Sequence, residues 1–507
     1  MNNIYISFFL IFLQICITNT NLFSESTKVS LDKHQLLVKV TYQNPNFLNP
    51  WKNKTPDIRI GVGTYIGENR LLIPASLLEY NTLIEVQSPS DSISKLSQVI
   101  KMDSEANLGL IEVKDPKDLF AKSESIQFNS NLVANTEVQV LIPDNQGEIS
   151  KKRAELGKIQ METYSDGRIE LPSIEISSNE ALYGNGELII GLKNKQALGI
   201  LYYFNKTKNS GRMIPGKIIN LFIKSKAQFP FKGFYFQPIN NEVTQNYYGL
   251  KKDQSGILVA EVILDSSAYG VLQTEDVIIK IGNFKIDNQG RFNHPIYGKL
   301  PLSYIFHSGD DLGFKFGSKV PVEIIRKKKK ETLSLVLKEF PESSIQIPFG
   351  NPQNYKPGYL MVGGYVFMEL NEFYLKEWGR NWRSSVDKKM LYKLDYHKFR
   401  KSSKDPKRVI FISQVFPDDS NNGFHDLRQD YVQEINGKPV TDLNQLHGEI
   451  ETVKEKDWIV FKLESGIEIP IPAKNLYKLN LRIMKNFQIQ KSFMQPSTGF
   501  ADTIDSK

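Results

Sequence analysis

Between Leu36 and Phe204 the chain offers eight short strand-like runs and no long helix between them. They read "LLVKVTYQ", "IRIGVGTYIG", "RLLIPASLL", "TLIEVQ", "LGLIEV", "TEVQVLIP", "ELIIGL" and "ALGILYYF". Each alternates or stays apolar over a strand's length, and turn residues separate them. Strands at this spacing restrict the region to an all-β barrel or sandwich. The following stretch, "GRMIPGKIINLFIKSK", has Pro215 near its start and apolar residues at helical spacing, so a helix is expected there.

At 507 residues the chain has room for roughly three domains. A second unit begins near Pro230 and mixes strands with one or two short helices. Within it, the basic run Arg326 to Lys330 joins "PVEII" to "TLSLVL" and reads as a solvated hairpin turn. A third unit starts near Tyr355 with a strand pair, "GYLMVGGYVFMEL", followed by a polar, basic segment from Lys376 to Arg408. The remainder repeats the element order of unit two: "LRQDYVQEINGKPV" stands beside "VLQTEDVIIKIGNFKI", so the two units form a divergent internal repeat. The tail after Phe493 is polar and expected to be loose.

The first residues form a leader. An apolar run from Ile4 to Ile17 is shorter than the ~20 residues a spanning helix needs and fits the core of an export signal. No Lys or Arg precedes it, so an uncleaved anchor stays open beside a cleaved signal. The only cysteine, Cys16, lies in this run, and Leu13-Gln14-Ile15-Cys16 partly matches a lipoprotein cleavage box. A mature form cut after Cys16 has no thiol for a disulfide, a metal or a nucleophile. The charge of +8 is spread among acidic residues, which argues against a nucleic-acid stripe, and no His/Asp/Glu cluster has metal-ligand spacing. No metal or organic cofactor is expected.

Three stretches of unit one resemble the HtrA/Deg group of trypsin-like serine proteases. "GVGTYIGENRLLIPASLL" is similar to the strand pair carrying the catalytic His, and "VIKMDSEANLGLIEV" to the segment carrying the catalytic Asp. "ALYGNGELIIGLKNKQALGILYYF" is similar to the nucleophile loop, where the family reads Gly-Asn-Ser-Gly-Gly-Pro-Leu. Carried over position by position, the His falls on Ser76 and the Asp on Asn107. The nucleophile falls on Gly184, or on Tyr183 if the gap is placed differently. That chemistry needs a base to take the hydroxyl proton and a carboxylate to orient the base. None of these replacements supplies either. The six histidines are His34, His294, His307, His397, His425 and His447, so none lies between Gln35 and Asn293. The turn in "YGNGEL" keeps two glycines, and the family uses its backbone N–H groups as an oxyanion hole.

"FKGFYFQPI" resembles the start of HtrA-type PDZ domains, whose loop N–H groups receive a peptide carboxylate while the next strand takes the peptide as a new sheet edge. The matching positions are Lys232, Gly233, Phe234 and Tyr235. Unit three, with "GGYVF", "GFHDLR" and "INGKPV", is similar to the second PDZ region of plant-type Deg proteases and their bacterial relatives, which helps assemble oligomers. It is therefore expected to dock on another domain or subunit, with Trp378 and Trp382 either anchoring that contact or packing on the extra segment.

The resemblance implies a mainly β chain: a trypsin-like double β-barrel followed by two PDZ-like α+β domains. The expected boundaries are a leader at 1–25, the barrel domain at 34–226, a PDZ domain at 230–342, a second PDZ-like domain at 352–493 and a flexible tail at 494–507. The expected function is that of an exported pseudoprotease, periplasmic or envelope-associated, binding unfolded or C-terminal peptides and partner proteins. It would work as a homo-oligomer, or mixed with an active relative, and without nucleic acid. The alternative is an active serine endopeptidase whose base comes from elsewhere, such as His294, His307 or a lysine acting on Ser177 or Ser178.

Overall fold

The computed structural model describes residues 34–87, 94–116, 119–120, 125–130, 132–144, 148–165, 167–224, 229–308, 312–350 and 355–497. The leader with Cys16 and the end of the tail lie outside them.

The chain is mainly β. Strands β1 (Gln35–Tyr42), β2 (Asp57–Gly67), β3 (Arg70–Pro74), β4 (Asn81–Gln87), β5 (Ser94–Asp103) and β6 (Leu108–Val113) close into a barrel in the order β1-β2-β3-β6-β5-β4. Alternate residues such as Val38, Val40, Leu71, Ile73, Ile84 and Val86 fill it. One turn of helix, α1 (Ala75–Leu78), links β3 to β4. A second barrel follows: β7 (Thr136–Pro143), β8 (Ile149–Thr163), β9 (Glu170–Ser177), β10 (Leu188–Gly191), β11 (Ala197–Asn205) and β12 (Ser210–Pro215), ordered β10-β11-β12-β9-β8-β7.

Strand β12 corrects the expected helix. Residues 210–213 pair with β9, residues 210–215 lie along β11, and α2 (Gly216–Lys224) begins only after Pro215. Barrel closure decides this: without β12, β9 and β11 would each leave an open edge. Ile218, Ile219 and Phe222 of α2 are fully buried against Leu141 and Leu188 of the second barrel and Leu72 of the first. Their burial contributes up to about 5–8 kcal/mol.

Unit two contains β13 (Phe234–Pro238), β14 (Ile257–Val262), β15 (Val277–Ile281), β16 (Phe284–Lys285), β19 (Lys319–Arg326) and β20 (Lys329–Val336), in the order β13-β14-β15-β19-β20 with β16 beside β15. A separate hairpin is made by β17 (Arg291–His294) and β18 (Gly298–Pro301). Helix α3 (Glu242–Tyr248) starts at Asn241, whose side chain accepts the Thr244 N–H, and stops at Gly249 with φ 84°. Helix α4 (Ser303–His307) precedes β19. The hairpin turn predicted at the basic run is present, with Lys327 and Lys328 at φ 49° and 64°. Arg326 is not part of its solvated face: it grips the buried Asp276 with two hydrogen bonds of 2.7 Å.

Unit three holds β21 (Tyr359–Val362), β22 (Tyr365–Glu369), β23 (Ile410–Val415), β24 (Asp430–Ile435), β25 (Lys438–Pro439), β26 (Trp458–Leu463), β27 (Glu468–Pro472) and β28 (Phe493–Met494). Its helices are α5 (Glu372–Lys376), α6 (Trp382–Ser385), α7 (Lys388–Tyr396), α8 (Leu443–Glu451) and α9 (Leu476–Phe487). The sheet runs β27-β26-β24-β23-β22-β21-β28. Topology matches β22-β23-β24 to β13-β14-β15, with one difference: β21 covers the outer edge of β22, whereas β13 ends its sheet. Phe47 and Trp51, from the β1–β2 connection, insert into the core of this unit, where Trp51 meets Tyr359 and Phe416 edge-on at 5.5 and 5.4 Å. Unit three thus docks on the first barrel. Trp378 and Trp382 pack within their own unit, Trp378 at 5.1 Å from Tyr374.

Candidate functional site

The connection from β3 into α1 puts Ser76 in the first turn of the helix, and the tight turn before β6 puts Asn107 beneath it. Asn107 is 1% exposed, at φ 49°. Its Oδ1 accepts the Ser76 N–H at 2.9 Å, and its carbonyl accepts the Ala75 N–H at 3.1 Å. Two of the three candidate positions are therefore joined, but through an uncharged amide that holds backbone. Arg59 fastens the other end of α1, donating to the carbonyls of Ser76 and Glu79 at 3.0 and 3.1 Å while stacking 3.7 Å over Tyr42. Behind the turn, Glu105 accepts from Arg168 Nε at 2.6 Å, and Arg168 also reaches Glu342 at 2.7 Å. That chain of ion pairs ties the first barrel to the second and to the segment after unit two.

The third position lies in the turn before β10. Gly184 has φ 79°, and a Cβ there would stand 2.5 Å from both Phe204 N and Tyr203 C. The turn is sewn down on both sides: Val62 N–H donates to the Asn185 carbonyl and Gly186 N–H to the Leu201 carbonyl, each at 2.8 Å. The alternative nucleophile position, Tyr183, carries a phenol 57% exposed.

Glu187, which sequence reasoning did not single out, governs this turn. Its side chain has no exposed surface. Its carboxylate accepts the N–H groups of Tyr183 at 2.8 Å, Gly184 at 3.0 Å and Asn185 at 2.6 Å. Successive N–H groups in such a concavity make an anion site, and here an internal carboxylate fills it. Burial raises the Glu187 pKa above the ordinary carboxylate value, and the backbone N–H bonds oppose that rise. The one available signal was an acid opening the buried run "ELIIGL".

The imidazoles are scattered. His34 is buried beside Tyr65, ring centroids 6.0 Å apart. His294 stacks on Tyr297, and its Nδ1 accepts the Ile296 N–H at 3.1 Å. His307 is buried in α4 with Nδ1 2.7 Å from the Glu170 carbonyl; burial first, then the nearby Lys232 ammonium, lower its pKa to about 4. His425 approaches the Asp418 carbonyl, His447 stacks on Phe493, and His397 lies near Tyr392. The Ser178 hydroxyl donates to the Arg153 carbonyl at 2.7 Å and accepts the Glu180 N–H, so it serves the loop.

Lys232, Gly233, Phe234 and Tyr235 form one loop running into the edge strand β13. Gly233 has φ 81°, and a Cβ there would meet Ser266 Oγ at 2.1 Å, so only glycine fits. Phe234 is a core residue, 1% exposed, leaving only its backbone for a ligand. Lys232 Nζ lies over Phe236 at 5.4 Å; burial lowers its pKa, with Glu170 opposing. Tyr235 is partly covered by Lys398 of unit three, 5.6 Å over its ring. Phe236 of β13 and Leu302, which precedes α4, both pack against Gly290. On its far side α4 abuts the second barrel, where Ile159 and Met161 of β8 pack against the unit-two core.

Among the described residues no group of three His, Cys, Asp or Glu could hold a metal ion, and no helix is long and apolar enough to cross a membrane. The sequence model of the PDZ domain family matches residues 350–494. Protease Do-like 2, chloroplastic, of Arabidopsis thaliana is 23% identical over 487 residues, covering 92% of this chain and 75% of that protein. The putative protease Do-like 12, mitochondrial, of the same plant is 24% identical over 464 residues, covering 88% and 83%. Among solved structures, the HtrA-type protease AlgW with tripeptide is similar over 61% of this chain and 95% of that one, at 16% identity and a TM-score of 0.44.

Proposed function

We propose that this chain, which belongs to the HtrA/Deg family of trypsin-like proteases with PDZ domains, binds polypeptides without cutting them. The observation that carries the reading is Glu187: its carboxylate occupies the N–H groups that would otherwise face a developing oxyanion. Two further facts support it. Gly184 has no room for a side chain, and Asn107 spends its acceptor on the backbone of Ser76. A hydrolase built on this turn would have to displace a buried carboxylate and move β11 away from position 184 before chemistry began.

Binding is assigned to the loop at Lys232 and Gly233 with the edge strand β13. In this reading the ligand is a chain end or an unfolded segment, its carboxylate beside the Lys232 ammonium and its backbone extending the sheet. Unit three takes a different role. Strand β21 already covers the corresponding edge of β22, so this unit holds the assembly together and leaves peptide capture to unit two. The apolar leader supports a place outside the cytoplasm, in the periplasm or at the cell envelope, and the docked third unit suits a homo-oligomer.

The test is a binding titration of a C-terminal peptide and of unfolded casein to the full chain. Lys232→Glu puts a carboxylate where the ligand's own is received, beside Glu170. It is expected to weaken the free-carboxylate peptide at least about tenfold and to spare its C-terminally amidated form. Equal loss for both forms would move the site elsewhere.

A further inference from the structure

One surface segment accounts for the whole charge excess of this chain. Residues 376–408 contain twelve Lys or Arg and four Asp or Glu, a net of +8, which equals the net charge of all 507 residues. Everything outside this segment is neutral in sum. The segment comprises the end of α5, then α6, α7 and the connection to β23.

Part of the excess is matched locally. Arg383 pairs with Asp395 at 2.7 Å, Lys393 with Glu464 at 2.8 Å, Arg408 with Glu369 at 3.5 Å and Lys407 with Asp442 at 3.7 Å. Arg380, Lys388, Lys389, Lys401 and Lys404 are exposed, and none has an acidic partner within 4.0 Å among the described residues.

Helix α7 shows what this face presents. Met390 and Leu394 point inward, and Asp387 caps the start by accepting the N–H groups of Lys389 and Met390. Outward lie Lys388, Lys389, Tyr392 and Tyr396, with the two phenol rings 57% and 65% exposed and 5.1 Å apart. Lys388 and Lys389 stand in the first turn, at the positive end of the helix dipole, where cations are unfavourable. Helix stability therefore gives no reason for them, and neither does packing.

We propose that this face docks on a negatively charged lipid bilayer. The charge pattern chooses the partner. Unpaired, exposed cations from three stretches complement an extended anionic sheet better than a single acidic side chain. Two exposed tyrosines on the same helix suit the headgroup layer, where an apolar ring and a polar hydroxyl are both satisfied. The consequence is an orientation: with α7 on the membrane, unit three would be the attachment side of the molecule.

The experiment is co-sedimentation of the full chain with vesicles of phosphatidylcholine alone and of equimolar phosphatidylcholine and phosphatidylglycerol. The readout is the gain on anionic over neutral vesicles, which an apolar leader would not supply. Each lysine near an anionic surface contributes about fivefold in binding, so K388E/K389E should cut that gain at least about 25-fold. Tyr392→Ala with Tyr396→Ala should weaken binding while its salt dependence stays. High salt should abolish the gain. The proposal is overturned if sedimentation is the same on both vesicles, or if K388E/K389E leaves the gain unchanged. It is equally overturned if the chain prefers single-stranded nucleic acid or polyglutamate and ignores the vesicles. Peptide binding at Lys232 is a separate measurement, so the failure of one reading leaves the other standing.

Discussion

Glu187→Ala is expected to loosen the turn before β10 while leaving unit two intact. The carboxylate accepts three backbone N–H groups at 2.8, 3.0 and 2.6 Å and has no exposed surface. A buried N–H left without an acceptor costs about 1–3 kcal/mol. Water entering the space of the lost side chain recovers part of that. The discounted total is about 3–5 kcal/mol, so opening of the segment should become at least about 100-fold more frequent. Hydrogen exchange followed by mass spectrometry reads this directly in peptides covering residues 183–205. Those amides should exchange faster, with β13 to β20 unchanged. Acetate at high concentration should slow the exchange again by refilling the vacated N–H groups. Glu187→Gln should lie between, because its amide keeps one acceptor oxygen and turns an N–H2 toward the remaining donor. Unchanged exchange across 183–205 in the alanine variant would refute the assignment of Glu187 as the internal anion of the turn.

Restoring the family's side chains with Ser76→His, Asn107→Asp and Gly184→Ser together should give no peptidase. It should also destabilise the second barrel by about 2–6 kcal/mol, since left-handed strain and overpacking at 184 each cost about 1–3 kcal/mol; casein turnover by the triple variant would contradict this. Two buried groups predict opposing pH slopes. Burial raises Asp103 from 3.8 to about 6, so its contribution is full below 3.8 and is lost as pH rises through about 6. Burial and Lys232 lower His307 from 6.5 to about 4, so its contribution is full above 6.5 and is lost as pH falls through about 4. Each contribution is worth on the order of 3 kcal/mol across its own window. In urea unfolding, compared with the parent, Asp103→Asn should tilt the dependence of stability on pH upward and His307→Gln should tilt it downward.

The barrels were legible because alternation and turn residues are local signals, and a barrel interior demands both. The lack of an internal imidazole was legible as a plain count over Gln35 to Asn293. Glu187 was not. Its role arises because the chain folds back so that a side chain meets the N–H groups two to four residues before it, and no spacing rule announces that. The end of the second barrel was misread because Met213 and Ile214 satisfy helical spacing as well as strand pairing, and only closure decides between them. The β21–β22 hairpin was legible as the strand pair in "GYLMVGGYVFMEL", whereas the insertion of Phe47 and Trp51 into unit three is a non-local contact, which local patterns do not encode. The basic segment from Lys376 to Arg408 was visible, but the neutrality of everything else hid how concentrated the charge is.

The most direct test of the central claim is intact-mass spectrometry of unfolded casein held with a stoichiometric amount of the purified chain. Casein that stays bound and keeps its full mass is the predicted result. New casein termini that vanish when Ser177 or Ser178 of this chain is changed to alanine, and persist with Lys388→Glu, would contradict it.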